Sequence, residues 1–295
     1  MAKLTVRKDS GEMLFDTDKI TYGLVKSGNM QLIQSWSRQT LKSVQLDPTK
    51  GANWSRSTIV APPSGDVLCG FTVDNARSPI VFIHGPGCLN GTIKSGNSLT
   101  FLYSGASTST QFYCFDLMSN NMIGGPYLKT YRESDGVLTF NSLQPPLNIV
   151  HSATPTPPSP PPSGSTSVVP YSGAGVRVFS RQKGGMVGGV LLEDQTDCAL
   201  DIEISAGIKY ATYLPWSRGC GIWDSLFSHD SAYGCVEGAY GRVGGISFMF
   251  GAAAGTTWTY APAGPGSAGG WRDVPTDRYP IALSIDATNL PFPFN

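Results

Sequence analysis

No stretch of this chain keeps its apolar residues at helical spacing for long, because turn signals interrupt it every few residues. Between those turns lie short runs rich in β-branched and aromatic residues, at 67–73, 80–83, 99–103, 111–116, 200–204 and 208–214. Residues 200–204 alternate Leu, Ile and Ile with Asp and Glu, the pattern of a half-buried strand. Such punctuation predicts an all-β fold with little helix, built as two β-sandwich or barrel-like domains joined by a proline-rich linker.

The linker is read from Thr154-Pro155-Thr156-Pro157-Pro158-Ser159-Pro160-Pro161-Pro162, followed by Ser163-Gly164-Ser165-Thr166-Ser167. It divides the chain into an N-terminal β domain at 1–152, a linker at 153–168 and a Gly- and aromatic-rich β domain at 169–295. Proline fixes φ, so the first part of the linker is predicted to run as polyproline II, rising about 3.1 Å per residue. It serves either as an ordinary interdomain connection or as a strut across a neighbouring subunit.

A hairpin signature occurs twice. Thr130-Tyr131-Arg132-Glu133-Ser134-Asp135-Gly136-Val137-Leu138-Thr139-Phe140-Asn141-Ser142 reads as two short strands around a Ser-Asp-Gly turn. Thr5-Val6-Arg7-Lys8-Asp9-Ser10-Gly11-Glu12-Met13-Leu14-Phe15-Asp16-Thr17 repeats it at one constant offset, with Gly11 matching Gly136 and Phe15 matching Phe140. Both glycines are expected at positive φ. A strand, an Asp/Ser-Gly turn, a strand ending in Phe-Asx-Ser/Thr, and then Pro146-Leu147-Asn148-Ile149 resembles β-rich structural proteins of long-tailed bacteriophages. Phe15-Asp16-Thr17-Asp18, Ile20-Thr21-Tyr22-Gly23 and Phe112-Tyr113-Cys114-Phe115-Asp116 resemble them too. The likeness covers residues 1–150 in patches, and its motifs carry no catalytic residues. It implies a virion protein of the tail tip, baseplate or tail fibre, assembled in the host cytoplasm in several copies against other tail proteins.

Charged residues make up 14% of the chain, against roughly 25% in ordinary soluble domains. That composition fits either a surface covered by neighbours in an assembly or a monomer with a Ser/Thr-rich exterior. Formal net charge is zero, which argues against a nucleic-acid partner, since phosphates demand a basic footprint. No charged-then-apolar leader is visible and no window supplies the roughly 20 apolar residues of a membrane span. Synthesis in a reducing cytoplasm would leave Cys69, Cys88, Cys114, Cys198, Cys220 and Cys235 as buried thiols, although an even count also admits disulfides. No Cys-x-x-Cys pair is present and His84, His151 and His229 are scattered, so neither a metal site nor a cofactor is expected.

Enzymatic readings find little support. His84-Gly85-Pro86-Gly87 after an apolar strand resembles an α/β-hydrolase oxyanion loop, but the Gly-x-Ser-x-Gly elbow and alternating helices are missing. His84 is therefore read as a turn residue. Asp194, Asp197, Asp201 and Glu203 contain a possible glycosidase pair, which a solvated strand face explains equally well. Trp216, Trp223, Tyr233, Tyr240, Trp258, Tyr260 and Trp271 form a candidate ligand surface, the alternative being aromatics that cover glycine-rich strands in a core. The chain is thus expected to be a non-enzymatic tail protein. The alternatives are a receptor- or glycan-binding module facing the host cell and a polysaccharide-trimming enzyme.

Overall fold

The computed structural model describes residues 5–11, 13–16, 19–36, 39–41, 54–56, 66–120, 124–125, 127–160, 168–178, 186–187, 190–191, 196–226, 229–253, 257–262 and 270–294. Among them every regular element is a strand and none is a helix, so the chain is all-β, as its turn punctuation requires. Asp194 lies outside the described residues.

The strand Ile80–His84 holds the centre. Its four consecutive apolar residues suit a strand buried on both faces, unlike the alternating strands that have one face in water. Along one edge it pairs antiparallel with Gln111–Leu117, which pairs in turn with Tyr22–Asn29. At its C-terminal end it meets two strands from the second half of the chain. Ile83 bridges Thr212 in antiparallel sense, and His84 bridges Gly241 in parallel sense. From Tyr210–Tyr213 the sheet continues through Ala282–Asp286 to His151–Ala153. From His229–Arg242 it continues through Gly245–Ala252 and Thr196–Glu203 to Gly175–Val178.

A separate antiparallel sheet runs Gln31–Trp36, Asp66–Asp74, Ser98–Ser104, Cys88–Ser95 and packs on one face of this assembly. Period-two alternation sorts the side chains into three cores. Val81, Ile83, Phe112 and Cys114 meet Phe71, Phe101 and Tyr103 of the four-stranded sheet. On the opposite face, Phe82, Tyr113 and Phe115 meet Leu24, Ala211 and Ile285. In the Gly245–Ala252 strand, Ile246, Phe248 and Phe250 enter a third core with Tyr171, Tyr210 and Trp271, while Met249 turns to the first. Removing a side chain such as Phe82, fully enclosed at 0% exposure, would cost about 3–5 kcal/mol.

The expected boundary at 153–168 does not interrupt the sheet. Strands from both sides of it are neighbours in one hydrogen-bonded network, and its described part is laid onto the second half of the chain. His151–Ala153 pairs with Ala282–Asp286, Pro155 is buried, Thr156 Oγ1 donates to Ser172 O at 2.7 Å, and Ser159 bridges Val169. Residues 161–167 lie outside the described residues. The C-terminal end also folds back. Ser27 N donates to Phe294 O at 3.0 Å and Phe294 N to Ser27 O at 3.1 Å, while Phe292 and Phe294 cover the second core.

The two hairpins of the repeated signature, Thr5–Arg7 with Met13–Asp16 and Lys129–Tyr131 with Leu138–Asn141, each form their own two-stranded sheet. Gly11 and Gly136 sit at φ +84° and +68°, in the left-handed region their turns were expected to need. The turns differ in detail. Gly11 N bonds Lys8 O at 2.8 Å, whereas Gly136 N bonds Arg132 O at 2.9 Å. Arg132 also donates through Nε to Asp135 Oδ1 at 2.9 Å, and that bond holds the Asp135 carboxyl below its ordinary range.

His84, expected in a turn, is the last residue of the central strand. Its Nδ1 lies 2.8 Å from Tyr210 O; a carbonyl only accepts, so Nδ1 carries the proton. Burial, and after it the charge of Lys209, lower the His84 pKa from 6.5, with the Tyr210 bond opposing them. As pH falls through 6.5, the unfolded chain takes up a proton that the folded one refuses, so stability drops until the folded pKa is passed. The melting temperature is expected to fall between about pH 8 and about pH 5, and His84→Gln should remove part of that fall. Identical pH profiles for the two proteins would count against this assignment.

Candidate functional site

Where the three systems of strands meet, they leave a cleft of about 110 Å³. The central strand contributes Val81 and Ile83, and the four-stranded sheet contributes Leu89, Phe101 and Tyr103. The His229–Arg242 strand contributes Glu237, Gly238 and Ala239. The fourth wall is the loop after Tyr210–Tyr213, which supplies Leu214 and Ser217. Trp216 stands on that same loop and is 43% exposed. Ligand pockets for whole small molecules run to about 300–1,000 Å³, so this cleft admits a side chain or a small substituent and not a complete saccharide or cofactor.

The walls are mostly apolar, with four hydroxyls among them, those of Tyr103, Thr212, Tyr213 and Ser217. Thr212 Oγ1 is already shared with Ser284 Oγ at 3.1 Å. Tyr103 is buried, and burial pushes its phenol far above the usual range, so it stays protonated and able to donate. Ser217 is exposed. The arrangement grips an apolar group and offers a polar handle. The cleft's one carboxylate, Glu237, is fully engaged from behind.

That engagement is a buried ionic network. Glu237 is 0% exposed and Arg218 3%. Arg218 Nε donates to Glu237 Oε2 at 2.8 Å and Nη2 to Oε1 at 2.7 Å, a two-pronged pair. Tyr171, also fully buried, donates its hydroxyl to Oε1 at 2.8 Å, and Arg218 Nη1 donates to Pro275 O at 2.9 Å. The guanidinium lies 4.8 Å from the Tyr279 ring centre. Burial alone would lower the Arg218 pKa; the hydrogen bonds and charge of Glu237 outweigh it and hold it raised. Burial, and then the neighbouring Glu237 charge, push the Tyr171 phenol well up.

The sequence reading missed this network. Arg218 and Glu237 are lone charges in runs of glycine, aromatics and small residues. The available signal was alternation: Glu237 shares a strand face with Cys235 and Ala239, both buried. A charge on an apolar face asks for a partner, but its identity depends on the cross-strand register.

The seven aromatics of the candidate ligand surface do not form one surface. Tyr240 is buried in the first core at 4% exposure and Trp271 in the third at 5%, because alternation turns both inward. Trp216 is exposed, while the side chains of Trp223, Tyr233, Trp258 and Tyr260 lie outside the described residues. Of the acidic residues, Asp201 and Glu203 share a strand face and are both met by Arg242, which lies 3.8 Å from Asp201 and bonds Glu203 in two-pronged fashion. Ser247 Oγ donates to Asp201 at 2.6 Å. Among the described residues no three His, Cys, Asp or Glu side chains gather as a metal site, and no helix is long and apolar enough to cross a membrane.

Comparison of the chain with protein-family models, with curated proteins and with solved structures finds no match in any of the three.

Removing one member of a buried pair leaves the other charged in the interior. Glu237→Gln is expected to lower unfolding free energy by about 3–5 kcal/mol in urea titrations, and Arg218→Met with Glu237→Leu to recover much of it. A Glu237→Gln protein as stable as the parent would show that the pair carries no such weight.

Proposed function

We propose that this chain is a structural protein of the distal tail of a long-tailed bacteriophage, in the tail tip, baseplate or fibre. The observation that carries the reading is the second signature hairpin. Its Leu138–Asn141 strand is seated on the body, with Thr139 and Asn141 at 0% exposure. Its Lys129–Tyr131 strand is the outer edge, and around it Tyr127, Leu128 and Tyr131 are exposed at 101%, 53% and 41%. A two-stranded ribbon with an apolar outer edge is marginal alone, and a neighbouring chain would complete it. The low charge of the whole chain supports the same reading, because unpaired charge is costly to bury in a permanent interface.

In this proposal residues 1–152 supply the docking surface and 169–295 the outward face, the two halves sharing one sheet network. The partners are other tail proteins and further copies of the chain, with no enzymatic step. Cross-linking mass spectrometry on purified particles should recover the chain in fixed ratio to the tail proteins, linked to them through Lys129. Recovery only from the particle-free supernatant would overturn the proposal.

The exposed Trp216 beside the cleft favours one further reading, a host-receptor or glycan contact made by the outward face. A rigid indole gives an apolar face at low entropic cost, and the cleft would take one substituent of the ligand. Trp216→Ala should then reduce particle adsorption to host cells at least tenfold while leaving particle composition unchanged. Unchanged adsorption would remove the receptor role and leave the structural one.

A further inference from the structure

We infer that Cys220 and Cys235 form an oxidation site: a thiol pair set to close into a cross-strand disulfide. All six cysteines are thiols in this structure. Cys220 and Cys235 stand directly opposite one another in the antiparallel ladder between Gly219–Leu226 and His229–Arg242. Residues facing each other in such a ladder point to the same side of the sheet. Both pack in the third core, where Cys220 is half-buried and Cys235 buried.

The ladder fixes the spacing. Glu237 N donates to Arg218 O at 2.9 Å, so the rung Arg218–Glu237 is of the hydrogen-bonded kind. Two residues along each strand, Cys220 and Cys235 form the next rung of that kind. Facing Cα atoms there are about 5.5 Å apart, inside the roughly 4.4–6.8 Å that a disulfide spans.

No other pair of the six is placed this way. Cys69 faces Tyr103, Cys88 faces Ser104, and Cys114 lies between Val81 and Lys26. Cys198 faces Phe250, which faces Glu237, so a whole strand separates Cys198 from the strand of Cys235. Strands lie about 4.8 Å apart, which puts two intervals beyond disulfide reach.

The reaction needs a two-electron oxidant, and a small-molecule disulfide serves. The Cys220 thiol, the more accessible of the two, loses its proton and its thiolate attacks one sulfur of that disulfide, releasing one small thiol. Cys235, also deprotonated, then attacks the Cys220 sulfur and expels the second. One disulfide is consumed, one is formed, and two protein thiols are exchanged for two small ones. The new bond would lie beside the Arg218–Glu237 pair and tie together the strands that carry it. This inference stands whether or not the chain is a virion component.

The test uses the purified full-length protein, native and reduced, exposed to oxidised glutathione, then alkylated, digested and mapped. The expected result is a Cys220–Cys235 linked peptide, a loss of two titratable thiols, and no lasting glutathione adduct. Cys220→Ser should lose no further thiols to intramolecular linkage. Overturning results are full alkylation of both cysteines after exposure, a stable glutathione adduct on Cys220, or linkage of either residue to another cysteine.

Discussion

Everything in the sheet network depends on how closely two backbones approach beside His84. Gly85 N donates to Gly241 O at 2.9 Å, and His84 Nδ1 donates to Tyr210 O at 2.8 Å. A Cβ on Gly241 would lie 1.9 Å from Tyr210 O, so only glycine allows the two second-half strands to converge on the central one. Few bonds are made at this point, yet they join strand sets drawn from opposite ends of the sequence. The central strand therefore works as a hub, with its edge given to Gln111–Leu117 and its end shared between two partners.

The cleft and the buried ion pair follow from that junction. The three strand systems that meet here leave unfilled space between them, and that space is the cleft. Directly behind it, Glu237 is held by Arg218, Tyr171 and the strand backbone, which keeps a charged wall rigid without offering it to the cleft. A carboxylate so fully engaged has little capacity left for a ligand or for proton transfer. The remaining polar capacity of the cleft lies in hydroxyl groups.

Much of the fold was legible in local sequence. The glycines of the repeated hairpins announced positive φ because a Ser-Asp-Gly or Asp-Ser-Gly turn needs it, and the β-branched and aromatic run at 80–83 announced a strand. What local reading could not supply was the neighbour of each element. The proline-rich run looked like a spacer because proline makes no ladder bonds through nitrogen. In the fold its carbonyls and hydroxyls still bond, Pro157 O accepting from Ser172 N at 2.7 Å, and the described part lies against the second half. From sequence, Tyr240 and Trp271 fit either a ligand surface or a core, because composition does not reveal which face of a strand is covered. Arg218 and Glu237, apart in sequence, become partners only through the cross-strand register.

The return of the C-terminal end to the first long strand has a consequence for when the protein can finish folding. Ser27 Oγ bonds Pro291 O across a sequence separation of 264 residues. A ribosome exposes Leu24, Tyr113 and Phe115 long before it delivers Leu290, Phe292 and Phe294, which cover them. For most of the time spent in synthesis, that face of the nascent sheet is bare apolar surface. Final closure is thus a late event of high contact order, and the interval before it is the period in which the chain most needs protection from its neighbours.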